Sequence, residues 1–314
     1  MILQSLFKKI RMELSGPHSV YIRDIFRRGF IFRQLFNRAN PKKDSDYLSI
    51  AVIIKNEMPY LREWIEYHLI VGVDRFYIYD IESTDNPLEV LQPYIDKGIV
   101  IYKYFPGKAK QVSAYCDAIL NYKYDTRWIA FVDIDEFIVP VQRFTLPEVL
   151  MDFEKYPGIC VSYAMYDSSG HIKKPDGLVI KNYIHRNIDS TYRLNKSVKS
   201  IINPREVIVT NVHWCYYRGF KWGVNENGCQ LVGNSAERQL LDILRVNHYY
   251  TRSKEEYLAK LNKGHAGTYG GNIPDAILDV SEERYIYPFY CVDNIMEKYV
   301  AELERRLITT SLKK

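Results

Sequence analysis

From residue 47 onward short apolar runs alternate with amphipathic stretches, and this alternation limits the folds open to the chain more than any other feature. Residues 47–55 (YLSIAVIIK) form a buried-strand run. A helix follows, with Pro59 in its first turn and Leu61, Trp64, Ile65 and Leu69 at i, i+3, i+4 and i+8. Residues 73–80 (VDRFYIYD) read as a second strand, 87–96 as a helix ended by Gly98, 99–105 as a third strand and 111–122 as a helix. A fourth strand spans 128–134 (WIAFVDI), followed by a helix at 146–156 and a strand at 159–165. Four β-α units in succession predict an α/β fold with an open, mainly parallel sheet and helices on both faces. Ligands on such sheets bind beyond the carboxyl ends of the strands. After residue 166 the regularity fades into loops, with strands expected at 178–184 and 206–212 and a helix at 254–262. The segment after 281 ends in an amphipathic helix carrying Ile295, Tyr299, Leu303 and Leu307.

Charge is divided unevenly. Residues 1–43 hold ten lysines and arginines against Glu13 and Asp24, so the net +5 of the 314-residue chain splits into +8 there and −3 in the rest. Leu3, Leu6, Phe7 and Ile10, then Tyr21, Ile22, Ile25 and Phe26, then Phe30, Ile31, Leu35 and Phe36 recur among these basic residues. A basic amphipathic leader of this kind suits an anionic membrane surface, a contact with the main domain, or an oligomer contact. Nucleic acid is excluded as a partner by the acidic remainder and the lack of a binding motif. No run approaches the roughly 18 residues of a membrane-spanning helix, and no secretory signal is evident. Five cysteines without a CxxC pair fit a reducing compartment and argue against a thiolate zinc site. The expected location is cytoplasmic, peripheral on the inner face of the cell membrane.

The fourth strand runs into Asp133, Ile134, Asp135, Glu136 and Phe137. Three carboxylates in four positions repel one another, and a divalent ion offsets this most economically; hard oxygen ligands suit Mg²⁺ or Mn²⁺. Asn56 and Glu57 end strand one, while Asp80, Glu82, Ser83, Thr84 and Asp85 end strand two. In a parallel sheet these reach the rim that Asp133 and Asp135 reach, a candidate nucleotide site. GxGxxG after strand one and GxxxxGK[ST] anywhere are missing, which counts against dinucleotide oxidoreductases and P-loop enzymes. His213, His248 and His265 are candidates for a further metal ligand, and Lys199, Arg205, Lys254 and Lys263 for neutralising a diphosphate. Two other classes compete. A DxD phosphohydrolase would need Thr or Val where Phe137 stands, near the start of its domain. A non-catalytic carbohydrate-binding protein would be expected to have lost part of the carboxylate and histidine set.

Together, KNE at 55–57, EWIEYH at 63–68, YD at 79–80, STD at 83–85, WIAFVDIDEF at 128–137, SSGH at 168–171, KSIINP at 199–204 and NHYYTRSKEEYLAK at 247–260 resemble glycosyltransferase family 92 and its bacterial relatives in the family-2-like group. The similarity runs from about residue 47 to 270. It implies a GT-A fold, Rossmann-like with a less regular acceptor-side half. It also implies a nucleotide-sugar donor, Mn²⁺ (or Mg²⁺), and inversion at the transferred sugar. The implied organisation is a leader at 1–43, a transferase domain at 44–280 with a donor half at about 47–140 and an acceptor half at about 141–280, and a C-terminal helical extension at 281–314.

Carried over by the resemblance, Asp133 lies toward ribose and metal, and Asp135 binds the metal. His213, with His248 as the alternative, completes the metal shell. Asn56, Glu57 and Asp80 match the nucleoside rim, and Gln111 and Tyr115 the helix beneath the donor. Inversion requires a base for the acceptor hydroxyl, with Asp167, Glu226 and Glu237 as candidates. Trp214, Trp222, Tyr216 and Tyr217 offer flat faces to an acceptor sugar. The implied donor is a UDP-sugar, UDP-galactose first. The implied acceptor is a glycan or lipid-linked oligosaccharide of surface polysaccharide synthesis.

Overall fold

In a computed structural model the described residues are 42, 45–263 and 286–311. The leader, apart from Lys42, and His265 lie outside them. Strands β1 (Asp46–Ile54), β2 (Arg75–Asp80), β3 (Val100–Tyr104) and β4 (Thr126–Phe131) are parallel in the order β3-β2-β1-β4. Alternate side chains of β1 serve opposite faces of the sheet, as a two-residue strand period requires. Leu48, Ile50, Val52 and Ile54 join a core with helices α1 (Met58–Ile70) and α2 (Leu88–Asp96), whereas Ala51 and Ile53 join a second core with α3 (Gln111–Tyr122). The alternation in the sequence is therefore a doubly covered parallel sheet.

The second half departs from simple β-α repetition. After β5 (Glu136–Pro140) come α4 (Leu146–Leu150), β6 (Gly158–Met165), α5 (Val179–Asn182), β7 (His185–Asn187) and β8 (Val198–Ile202). Strand β8 lies between β4 and β6 and is antiparallel to both. Strands β9 (Val207–Thr210) and β10 (Cys215–Tyr217) form a separate ribbon, and β11 (Gly223–Val224) and β12 (Gln230–Leu231) finish the sheet edge. Strand β13 (Leu244–His248) pairs parallel with the end of β6 and antiparallel with β5. Helix α6 (Lys254–Lys263), strand β14 (Tyr290–Val292), which pairs with β7, and helix α7 (Glu297–Ser311) follow.

Two expectations change. Residues 178–184 are not a strand: α5 forms because the Glu63 carboxylate accepts Val179 N at 2.9 Å and Ile180 N at 3.1 Å, satisfying amides that a helix start leaves open. The helix expected at 146–156 shortens to α4 plus a 3₁₀ turn at Met151–Phe153, since Pro157 disfavours helical backbone at Tyr156. The expected C-terminal helix forms, and it packs into the main core rather than apart from it. Tyr299 and Leu303 of α7 are fully buried in the core that contains β1, with the Tyr299 ring edge-on to Tyr67 at 5.3 Å.

Helix α1 also explains why EWIEYH carries polar groups on a buried face. Strand β5 has β13 on one side only, and its other backbone edge is satisfied by α1 side chains. Trp64 Nε1 donates to Glu136 O at 2.8 Å and Tyr67 OH to Ile138 O at 3.0 Å. Ile138 N donates to His68 Nε2 at 3.3 Å, so His68 Nδ1 carries the proton shared with Trp64 O at 2.8 Å. Burial lowers the His68 pKa from 6.5 to about 3. Between those values the unfolded chain binds the proton and the native chain does not, so stability falls as pH drops through this window. The expected loss is about 1.4 kcal/mol per pH unit from this residue. Denaturant unfolding from pH 6.5 to 4 should show it, and His68→Gln should lack that share of the slope; parallel curves for the two proteins would refute the assignment.

Candidate functional site

Strand β4 ends at Phe131, earlier than the apolar run suggests, and the acidic turn begins there. Ile134 is buried in the main core, which anchors the turn and frees the residues on either side of it. Glu136 N donates to Asp133 O at 3.0 Å, Asp133 N donates to Glu136 Oε2 at 2.9 Å, and Tyr249 N donates to Asp135 O at 2.9 Å. The turn is thus closed by its own backbone and tied to the segment after β13.

Asp133 is held from two sides. Gln111 Nε2, at the start of α3, donates to its Oδ1 at 2.9 Å and lies 3.1 Å from Tyr115 OH. The Tyr115 ring stacks on Phe131 at 4.2 Å. Lys199 of β8 donates to Asp133 Oδ2 at 2.8 Å and lies 3.3 Å from Glu136. Burial opposes the Lys199 charge, but Asp133 and Glu136 outweigh it and raise the pKa well above the usual range. Glu136 is fully buried and accepts from Tyr163 OH at 2.6 Å; burial raises its pKa even against Lys199.

Asp135 meets a different pair. Lys260 Nζ of α6 is 2.5 Å from its Oδ2, and His248 Nε2 is 3.5 Å away. Burial would raise the Asp135 pKa, but Lys260 and His248 overcome it and hold the carboxyl well below its ordinary value. Strand pairing sets His248 directly opposite Glu136, and ligand atoms of Asp135, Glu136 and His248 all lie within 4.8 Å of one another.

Of the two expected histidines, the alternative, His248, is the one that this pairing places beside the acidic turn. His213 Nδ1 faces Val198 O at 3.0 Å, and its ring stands 6.3 Å from Tyr163, whereas His248 is 4.8 Å from that ring and beside Asp135. Burial, with Lys199 next, lowers the His213 pKa to about 4. The carboxylate group therefore takes His248. Of the residues expected at a nucleoside rim, Asn56 Oδ1 accepts Thr84 N at 2.7 Å, and Asp80 accepts Ser83 N at 2.9 Å and Tyr102 OH at 2.6 Å. Glu57 stands at the start of α1 without a side-chain capping bond and interacts electrostatically with Arg252, whose guanidinium lies 3.5 Å from the Tyr60 ring centre.

Other expected residues have structural work instead. Asp167 is fully buried and accepts Ser169 N at 2.8 Å and Tyr287 N at 2.6 Å, so it is not placed to take an acceptor proton. Glu226 accepts the backbone N–H groups of Asp242, Ile243 and Leu244, which corrects its reading as a base. Glu237 keeps an exposed position, in the wall of a cavity beside β12. Arg205 is spent on Lys123 O, Thr126 O and Arg127 O, near the opposite end of β4. Tyr217 is buried, while Trp214, Tyr216 and Trp222 pack edge-on to one another at 4.5 and 5.4 Å. Lys260, Arg252 and Tyr163 escaped the sequence reading as site residues. Only the NHYYTRSKEEYLAK segment contained a signal for the first two.

Residues 50–257 match the profile of glycosyltransferase family 92. The chain is 28% identical over 177 residues to the glycosyltransferase family 92 protein Os08g0121900 of Oryza sativa subsp. japonica, covering 52% of this chain and 30% of that protein. It is 27% identical over 169 residues to the galactan beta-1,4-galactosyltransferase GALS2 of Arabidopsis thaliana, covering 49% and 32%. The chain thus spans about a third of the length of these relatives. Among solved structures, TarS 1-349 of S. aureus in complex with UDP is similar with a TM-score of 0.35 and 13% identity, over 50% of this chain and 47% of that one.

Proposed function

The chain belongs to glycosyltransferase family 92, and from that premise we propose that it moves a sugar from a nucleotide-sugar donor, UDP-galactose first, to a glycan hydroxyl with inversion. The observation that carries this reading is the convergence of Asp135, Glu136 and His248 in the acidic turn beyond the end of β4, where a mainly parallel sheet binds its ligands. The galactosyltransferase name of one relative favours galactose.

The donor set fits Mn²⁺ or Mg²⁺. His248 Nδ1 is a buried atom without a hydrogen-bond partner among the described residues, and an imidazole beside two carboxylates suits Mn²⁺. Asp135, His248 and Glu136 would hold the ion. When bound, such an ion stabilises negative charge developing on the leaving diphosphate. Asp133, fixed by Gln111 and Lys199, orients toward the ribose. Asn56, Glu57 and Asp80 close the nucleoside side of the rim. Of the three base candidates, Glu237 alone retains an exposed carboxylate.

A thermal-shift screen of nucleotide sugars with and without Mn²⁺ tests the reading. At a hundredfold excess over Kd, the right donor should raise Tm by about 4 °C, and only with metal present. No metal-dependent shift with any UDP-sugar would overturn it.

A further inference from the structure

Each carboxylate of the Asp133/Asp135 pair already holds a lysine, and burial separates the two lysines. The Lys199 side chain is 1% exposed, and its backbone is fixed in β8 between β4 and β6. It is a permanent counterion. The Lys260 side chain is 33% exposed on α6. Besides Asp135 it contacts Tyr250 O at 3.0 Å and lies 3.9 Å from the centre of the Tyr250 ring. A flexible four-carbon stem from a helix surface lets this ammonium reach water or a new anion.

We propose that Lys260 is an exchangeable resident cation: it holds Asp135 while no divalent ion is bound, leaves when one enters, and turns to the diphosphate of the donor. The proposal rests on the transferase reading above. A divalent ion on a carboxylate sits about 2.0–2.6 Å from its oxygen, and Lys260 Nζ stands 2.5 Å from Asp135 Oδ2. The two cations compete for Asp135 and repel each other at this distance, so metal entry disfavours the lysine contact.

The consequence is a coupling between two ligands. With no diphosphate present, the displaced ammonium has only water to turn to, and metal alone binds weakly. A nucleoside diphosphate offers it an anionic partner, so metal and diphosphate each strengthen binding of the other by the same factor. Lys199 cannot take this part because burial and two carboxylates hold it in place.

Calorimetric titration of Mn²⁺ into the full chain, with and without saturating UDP, tests this in wild type, Lys260→Met and Lys260→Arg. Lys260→Met should bind Mn²⁺ alone about tenfold or more tighter than wild type, with the gain from UDP reduced by a similar factor. Lys260→Arg, which keeps the charge, should stay close to wild type. A single cooperative unfolding transition checks that the variants fold. If Lys260→Met binds Mn²⁺ alone no tighter than wild type, the exchange proposal fails; Mn²⁺ binding in the presence of UDP would then leave the transferase reading standing. If no protein binds Mn²⁺ with or without UDP, both fail.

Discussion

Asp135→Ala is expected to lower transfer from UDP-galactose by about three orders of magnitude, and excess EDTA to do the same to wild type, because the ion that offsets charge on the leaving diphosphate contributes several kcal/mol to the transition state. The loss belongs to chemistry rather than folding. The backbone of the turn is closed by Asp133, Glu136 and Tyr249, and Tyr249 N donates to the Asp135 carbonyl oxygen, which alanine retains. Lys260, released from its partner, is exposed enough to be solvated, so the stability cost should stay within about 1 kcal/mol. Asp133→Ala differs: it also removes the acceptor of Gln111 and one of the two acceptors of buried Lys199, so both turnover and stability should fall. Product formation with and without Mn²⁺, together with unfolding midpoints, separates the two effects. Full metal-dependent turnover in a folded Asp135→Ala protein would remove Asp135 from the site and the metal reading with it.

The donor half of the fold was legible because its signals are local. Each strand of the parallel sheet is an apolar run, each helix has a 3.6-residue stripe, and α3 matches its expected bounds at 111–122. The acidic turn after β4 was equally legible, because three carboxylates at the end of a buried strand demand compensation wherever the chain goes next. Its compensation was not. Lys199 reaches Asp133 only because β8 inserts antiparallel between β4 and β6, and His248 reaches Asp135 only because β13 pairs with β5, more than a hundred residues away in sequence. Neither pairing leaves a periodic trace at short range. Hence Lys199 was one cation among four and His213 was preferred to His248. Two of the base candidates, Asp167 and Glu226, have structural partners for another reason. A carboxylate that caps a loop and one that takes a proton share a residue type, and only the backbone N–H groups around Asp167 and Glu226 tell them apart.

Lys199→Met is expected to destabilise the protein by about 3–5 kcal/mol, the usual consequence of removing one partner from a buried ion pair. In a chain of 314 residues that corresponds to a fall in Tm of roughly 4–8 °C. The lysine is the nearest cation to two carboxylates, 2.8 Å from Asp133 and 3.3 Å from Glu136. Asp133 is partly exposed and can turn to water, whereas Glu136 is fully buried and keeps only Tyr163, its own turn and the His248 ring nearby. Its pKa is already raised by burial, and loss of Lys199 raises it further. A carboxyl whose native pKa lies above its unfolded value binds more protons when folded. The stability of the variant should therefore recover as pH falls from neutrality toward about 5, and the deficit against wild type should shrink. Denaturant unfolding of both proteins at pH 7.5 and 5.5 measures this. Lys260→Met serves as the comparison: Asp135, with 11% of its side chain exposed, keeps His248 at 3.5 Å, so the cost should be smaller, about 1–3 kcal/mol. Equal costs for the two lysines at pH 7.5 would mean that burial does not divide them, and the distinction between a fixed and an exchangeable cation would fall. A larger cost for Lys199→Met, relieved by acid, is what a buried counterion at the acidic turn requires.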